Sequence, residues 1–496
     1  MKNILIKFTN LILVVILLAS CSEDYLDVNV DPNNPSTVSP DLILPTAMKY
    51  TADVIQGSRR ANTLGNLMMY NWSQADGYSW YTNEFNYLVN TSFYRGIFND
   101  SYSEPLTQYQ ILENLEDEEY VYYVAIAKIM QSYHFQLLVD FYGDVPYFEA
   151  LQRGAEATPA YDDAQEIYDD LIIELTSAID LIDNAVETAI VPGNDDIIFG
   201  GEMHDWKAFA NTIKMRILTR QIDMTGRTAY IQDEVNAIIA EGSGFITGDV
   251  GVNPGYLQEE GKQNPTWNTY GWDVGGTAAM DNDATCASDY IITYLQGLND
   301  PRIDYIYEQP ATGHLGVPQG LLAHEYDNPV VDAYVADLVS NIGPGILKSP
   351  NMDAIIFTLA ESYFNQAEAA LTITGLGNAQ TLYENGIQAS FDCLGAPGAA
   401  TYISQPVGFV AWGIGGISNK ELIITQKWIA MNGITAEQSW FDYSRTGYPR
   451  NLPISRQAST TDRPVRIYWP SGEVSANGGN LPDQPDAFTA KIFWAL

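Results

Sequence analysis

Residues 352–375 read MDAIIFTLAESYFNQAEAALTITG, and they decide the fold class of this chain. Ile356, Leu359, Ala360, Tyr363, Phe364, Ala367 and Leu371 fall at the three- and four-residue spacing of one helical face. Residues 379–395, AQTLYENGIQASFDCLG, follow as a second amphipathic segment, so the two are expected to form an αα-hairpin in which small alanines permit close approach. The same spacing recurs outward from this pair. Residues 118–141 are apolar nearly all round, which marks a buried helix, with His134 inside as a core histidine rather than a ligand. Residues 161–183 carry Ile167, Leu171, Leu175, Ala178 and Ile182 on one stripe, with Asp162 and Asp163 in the first turn, where the helix dipole favours acids. Further helices are expected from about Asp205, over 229–241, and as two segments within 419–445.

Between these blocks the texture changes. Over 242–349 glycine and proline become frequent and the helical period fades, a stretch too long for a structureless loop in a compact domain. It is expected to form a second lobe or large insertion of irregular segments and short helices. Residues 446–496 are polar and rich in glycine and proline. The expected body is therefore a single all-α unit over 46–496, mainly helical at 46–241 and 350–445, with 242–349 irregular and 446–496 loop-rich.

The N-terminus reads as an export signal. Lys2 and Lys7 precede an apolar run from Leu11 to Leu18 that is too short to span a bilayer, and Ala19–Ser20 then lead into Cys21. Residues 1–20 are expected to leave as a signal peptide. Residues 21–45, broken by Pro32, Pro35, Pro40 and Pro45, are expected to form an extended tether strapped to the body through Tyr25, Leu26, Leu42 and Leu44, with a helix starting near Thr46.

The formal net charge of −38 repels nucleic acid and anionic membrane surfaces, so neither is an expected partner by charge. Of three cysteines, Cys286 and Cys393 could form one bridge or stay as separate buried thiols; no disulfide framework is possible. The four histidines are scattered, which argues against a His/Cys zinc site. Asp281, Asn282 and Asp283 offer oxygen ligands that calcium could use, but their spacing matches no EF-hand loop and a turn explains them as well. No cofactor is expected.

The chain is rich in aromatics, with 10 Trp, 32 Tyr and 17 Phe. Two low-periodicity stretches concentrate them, and rings in such stretches are less readily explained as core. Trp72, Trp80 and Tyr81 lie in the first, and Trp267, Tyr270 and Trp272 in the second. Sugar rings stack on aromatic planes while amides and carboxylates bond their hydroxyls, so these six rings with Asn83, Asn268 and Asp283 form the candidate ligand surface. No nucleophile elbow, metal motif or phosphate loop is present. A glycoside hydrolase would need a pair of carboxylates about the scissile bond, which an acidic chain cannot exclude.

Eight segments in order, LLASC, YLDVNVDPNNP, FYGDVPYFEAL, WKAFANTIKMRILTR, YFNQAEAAL, ELIITQKWIAM, EQSWFDYSRTGYPR and RPVRIYWPSGE, resemble the SusD/RagB family of outer-membrane lipoproteins of Bacteroidetes, in its SusD-like branch. The resemblance implies a superhelix of tetratricopeptide-like helix pairs with a large irregular, ligand-facing half. It implies cleavage before Cys21 and lipidation there, with Ser22–Glu23–Asp24 as a surface-sorting signal, so that the protein sits lipid-anchored at the outer surface. It further implies a SusC-like TonB-dependent transporter over which the chain closes as a lid, a mechanism that needs no catalysis. The ligand expected is a glycan. A peptide ligand, a surface glycoside hydrolase and a lid with no ligand of its own are the alternatives.

Overall fold

The computed structural model describes residues 38–152, 156–321 and 334–495. The expected signal, Cys21, Tyr25 and Leu26 lie outside the described residues.

In chain order, the elements that carry the architecture are α1 (Pro40–Gln56), α2 (Ala61–Met68), β1 (Trp72–Gln74), α3 (Val121–Tyr142), α4 (Ala164–Asp183), α5 (Met203–Arg220), α6 (Thr228–Glu241), β2 (Val250–Val252), α7 (Pro265–Tyr270), α8 (Met280–Ala284), β3 (Thr285–Ala287), α9 (Asp289–Gly297), β4 (Ala354–Phe357), α10 (Leu359–Ala369), α11 (Ala379–Leu394), α12 (Asn419–Met431) and α13 (Ala436–Thr446). Helix packs on helix in sequence: α3 on α4, α4 on α5, then α5 on α10 after a long excursion, α10 on both α11 and α12, and α12 on α13. Helix α13 returns to α2, so the first and last parts of the helical body meet. One continuous hydrophobic cluster runs from Ile43 to Ala495. The structure is the helix-pair architecture expected of the sequence.

Local chemistry explains most boundaries. The Asp163 carboxylate caps α4 by accepting from the Gln165 and Glu166 amides, which places it at the cap and not in the first turn. Asp162 instead accepts from the backbone of Tyr147 and Phe148. Thr358 caps α10 by accepting from the Glu361 amide at 3.0 Å. That cap marks a difference from the sequence reading. Ile356 belongs to β4 and not to the helix, because Ala354–Phe357 pair antiparallel with β2 and the β-branched isoleucines suit the strand. The helix also ends at Ala369, short of Gly375.

A second difference lies at the start. Helix α1 begins at Pro40, not near Thr46. Pro40 occupies the first turn, where a missing N–H costs nothing, and Pro45 lies inside the helix. The hydroxyl of Thr46 donates to the Leu42 carbonyl at 2.9 Å. Burial of Ile43, Leu44, Ala47 and Met48 holds the turn together. Leu44 is thus a core residue, whereas Leu42 points away from the core and is 63% exposed.

The excursion between α6 and α10 is tied back by its strands. β3 pairs antiparallel with β1, bringing Trp72 opposite Ala287 and Gln74 opposite Thr285, and β2 pairs with β4. The C-terminal segment is a strap of little regular structure that crosses the helices. The Ile467 amide donates to the Phe141 carbonyl, and the indole of Trp494, fully buried, donates to Asp140 at 3.0 Å. Cys286 and Cys393 are separate buried thiols, with no bridge between them. His134 is buried, contacts the Thr51 hydroxyl at 2.8 Å, and burial pulls its pKa down to about 3, as befits a neutral core histidine.

The helical seam also encloses charge. Arg220, Lys427 and Arg445 converge on Asp442, and Arg445 forms two hydrogen bonds of 2.7 Å with Glu368. Burial works against the Asp442 carboxylate, but Lys427, Arg220 and Arg445 hold it well below the usual range.

Candidate ligand surface

The two aromatic stretches come together through their buried members. Trp72, Tyr81 and Tyr270 are core residues, each no more than 3% exposed. The Trp72 and Tyr270 rings meet edge to face with centroids 5.0 Å apart. The Tyr81 hydroxyl lies 2.6 Å from that of Thr285, and the Tyr270 hydroxyl 2.8 Å from that of Thr63. Burial pushes both phenols up, so they remain neutral hydrogen-bonding groups. These three rings are therefore corrected from ligand contacts to packing: their polar ends are satisfied internally and their faces are covered. Sequence density alone does not separate them from their neighbours, because their burial is set by partners distant in sequence: β3 for Trp72, Thr285 for Tyr81 and Thr63 for Tyr270.

Trp80, Trp267 and Trp272 are half-buried, and Asn83, Asn268 and Asp283 are exposed. Each ring is fixed by backbone chemistry. Arg59 donates to the Trp80 carbonyl at 2.8 Å, approaches Glu84 at 3.3 Å, and stands over the Tyr81 ring at 5.7 Å. Asn264 caps α7 by accepting from the Thr266 and Trp267 amides at 2.9 and 3.1 Å. The Trp267 indole donates to the Trp272 carbonyl at 3.0 Å, as does the Gln263 side chain, and the two indoles lie 5.1 Å apart at 51°. Gly271 makes this possible: a Cβ there would come within 2.7 Å of the Trp267 carbonyl and 2.9 Å of its ring.

After Trp272 the chain turns through a short hairpin, bridged at Ala278 and pinned by Asp273, whose carboxylate accepts from the Gly275 and Thr277 amides. Helix α8 follows. Asn282 donates to the Tyr270 carbonyl. Burial raises the pKa of Asp281, and the positive charge of Arg59 offsets part of this. Burial, then the charges of Asp283 and Asp337, raises the Tyr78 phenol. Asp281–Asp283 thus form a helical turn in which Asn282 uses its amide as a donor. Among the described residues, no group of three or more His, Cys, Asp or Glu could hold a metal.

Trp267 and Trp272 are thus held as a pair, while Trp80, whose indole Nε1 is buried without a hydrogen-bond partner, stands on the loop that Arg59 clamps. Sequence reasoning missed Arg59, whose backbone is left-handed at φ 52° and whose role depends on contacts distant in sequence. It also missed a separate cleft of about 400 Å³ lined by Tyr290, Tyr294 and Phe409. The signal available was Tyr290 and Tyr294, four apart on one face of α9. No helix among the described residues is long and apolar enough to cross a membrane.

Comparison with known proteins is consistent with this architecture. A chitin-binding SusD homologue from Flavobacterium johnsoniae superposes with a TM-score of 0.73 at 22% identity, covering 91% of this chain and 98% of that one. A SusD homologue from Bacteroides uniformis gives 0.70 at 22%, covering 92% and 99%. A structure described as a chitin-binding protein gives 0.72 at 24%, covering 92% and 100%. No curated protein matches the chain. The SusD-like family model, described as starch-binding and associating with the outer membrane, matches residues 32–470. The chain belongs to that family.

Proposed function

We propose that this protein captures a glycan at the outer surface of the cell and delivers it to a TonB-dependent transporter, over which it closes as a lid. The observation that carries the ligand class is the set of partly exposed indoles of Trp80, Trp267 and Trp272, with the exposed Asn83, Asn268 and Asp283 close to them in the sequence. Flat apolar faces flanked by hydrogen-bonding groups suit pyranose rings. The family description and the chitin-binding relatives support the same class. Lipidation at Cys21 provides the anchor, and the function is binding without turnover. Lid closure is a population shift that the ligand biases through differential affinity.

The test is calorimetric titration with starch- and chitin-derived oligosaccharides and with short peptides. For the glycan that binds, Trp80→Ala and Trp272→Ala are each expected to weaken affinity about tenfold, or about 1.4 kcal/mol. Unchanged affinity in both variants would refute the site. Preference for peptides would replace the ligand class, and release of shortened products would replace capture by hydrolysis. Co-purification from mildly solubilised native membranes is expected to bring down the transporter in near-equal amount.

A further inference from the structure

Helix α3 is apolar over most of its circumference, and one stripe breaks the pattern. Lys128, Gln131 and Ser132 fall, with Phe135, at the three- and four-residue spacing of a single face. Gln131 is 9% exposed and Ser132 is buried as well, so polar groups stand where apolar ones would pack without cost. The Ser132 hydroxyl donates to the Lys128 carbonyl at 2.8 Å. The Gln131 amide nitrogen is equally enclosed and has no hydrogen-bond partner. A buried donor left unpaired is costly. This one belongs to the wall of a cavity.

The cavity measures about 310 Å³ and lies between α3, α4, the helix Thr107–Glu113 and the loop that follows α3. From α4 come Asp170 and Glu174, four apart on one face. Lys128 stands 2.8 Å from Glu113 and pairs with Glu174. Burial works against this ammonium, and the two acids keep it charged. The Tyr147 hydroxyl donates to Asp170 at 2.8 Å. The Tyr147 ring meets Phe135 edge to face at 4.7 Å and Phe148 at 4.9 Å, which steadies a Phe148 ring that is 51% exposed.

This wall selects its ligand by chemistry. Three carboxylates and one ammonium line it, so anions are repelled. The carboxylates accept hydrogen bonds, whereas the Gln131 amide nitrogen can only donate one. A hydroxyl group answers both needs at once. The exposed Phe148 ring offers a flat apolar face for the C–H side of a sugar. The volume stands at the small end of ligand pockets, which begin at about 300 Å³, and suits one or two rings better than a long chain.

We propose that this cavity is a second saccharide site, which takes an uncharged unit of one or two sugar rings. Gln131 donates to a ring or hydroxyl oxygen, Asp170 and Glu174 accept from hydroxyls, and Phe148 stacks. The site rests on the glycan reading above for its ligand class. It shares no element with the indole-bearing surface, so the two can be emptied separately.

The test is saturation-transfer NMR titration with maltose, chitobiose and glucuronic acid, on the full chain and on the Trp80→Ala, Trp272→Ala double variant. The double variant is expected to keep binding at least one neutral disaccharide. In that background Gln131→Leu and Phe148→Ala should each weaken the remaining binding at least tenfold. The urea midpoint of Gln131→Leu should not fall, because an apolar side chain of similar size replaces an unpaired amide. Glucuronic acid should be refused, and Asp170→Asn should narrow the gap between it and the neutral sugars. Loss of all binding in the double variant would overturn this site and leave the indole surface as the glycan site. Residual binding untouched by Gln131→Leu and Phe148→Ala, or a preference for glucuronic acid, would also overturn it. Absence of sugar binding by the native chain would remove both sites.

Discussion

Glu437 is a carboxyl with no exposure to solvent in the first turn of α13, and its Oε2 has no hydrogen-bond partner. Its neighbours are Glu361, also fully buried, and Arg216, whose Nη1 stands 3.6 Å from Glu361. Burial pushes the Glu437 pKa up to about 7 from an ordinary 4.5, the backbone amide at the helix start offsets part of this, and Glu361 adds to it. Because the fold binds this proton more tightly than the unfolded chain, the group's contribution to stability is full below about 4.5 and is lost as pH rises through 7. At about 1.4 kcal/mol per pH unit the whole effect is about 3 kcal/mol, of which about 2–3 kcal/mol falls between pH 5 and 8. Glu437→Gln keeps the shape and abolishes the titration. Urea unfolding of both proteins at pH 5, 6.5 and 8 should show the stability of the variant relative to wild type rising by about 2–3 kcal/mol over that range, since every other titrating group is shared. A gap constant to within about 0.5 kcal/mol would refute the assignment of a protonated carboxyl at this seam.

Three further substitutions probe the framework. His134→Gln should act with the opposite pH dependence: a histidine held at about 3 in the fold loses stability as pH falls below 6.5, so relative to wild type the variant should gain about 2 kcal/mol between pH 8 and pH 5 in the same unfolding assay. Gly65→Ala in α2 should lower the urea midpoint although alanine is the better helix former, because the new Cβ would fall 2.0 Å from the Glu437 amide nitrogen and 2.2 Å from the Ala436 carbonyl carbon. Overpacking of this kind costs about 1–3 kcal/mol or more, and an unchanged midpoint would show that α2 and α13 can separate freely. Trp494→Ala should cost about 3–5 kcal/mol, through the cavity left by the indole and the loss of its hydrogen bond to Asp140, and should expose the C-terminal strap to limited proteolysis.

The helical framework was legible because its signal is local. Ile167, Leu171, Leu175, Ala178 and Ile182 recur at the helical period, and all are buried against neighbouring helices. Where the reading departed from the structure, tertiary contacts decided the matter. Ile356 fits the same helical stripe as Leu359 and Ala360, yet pairing with β2, distant in sequence, takes it into a strand. Pro40 and Pro45 argued for an extended tether, yet burial of Leu44, Ala47 and Met48 outweighs one missing backbone hydrogen bond. The aromatic stretches were legible as stretches only. Trp72 and Trp80 have similar local surroundings in the sequence, yet the β1–β3 pairing takes Trp72 into the core while Trp80, beyond the strand, stays half-buried.

That division of the rings has a physical consequence for binding. The buried rings hold the half-buried ones: Tyr270 sits against Trp72 and ends the short helix that carries Trp267, and Tyr81, bonded to Thr285, follows Trp80 directly. Trp80 is further held through its own carbonyl by Arg59, and Trp267 through its indole by the Trp272 carbonyl. Rings fixed in this way lose little conformational freedom when a ligand stacks on them, so more of the contact energy remains as affinity. Loosening the support without touching the platform should therefore weaken binding. Tyr270→Phe removes only the hydroxyl that meets Thr63, and Arg59→Gln removes the clamp on the Trp80 loop. If the platform is preorganised, Arg59→Gln weakens glycan affinity several-fold while Tyr270→Phe, which keeps the ring in place, leaves it nearly unchanged.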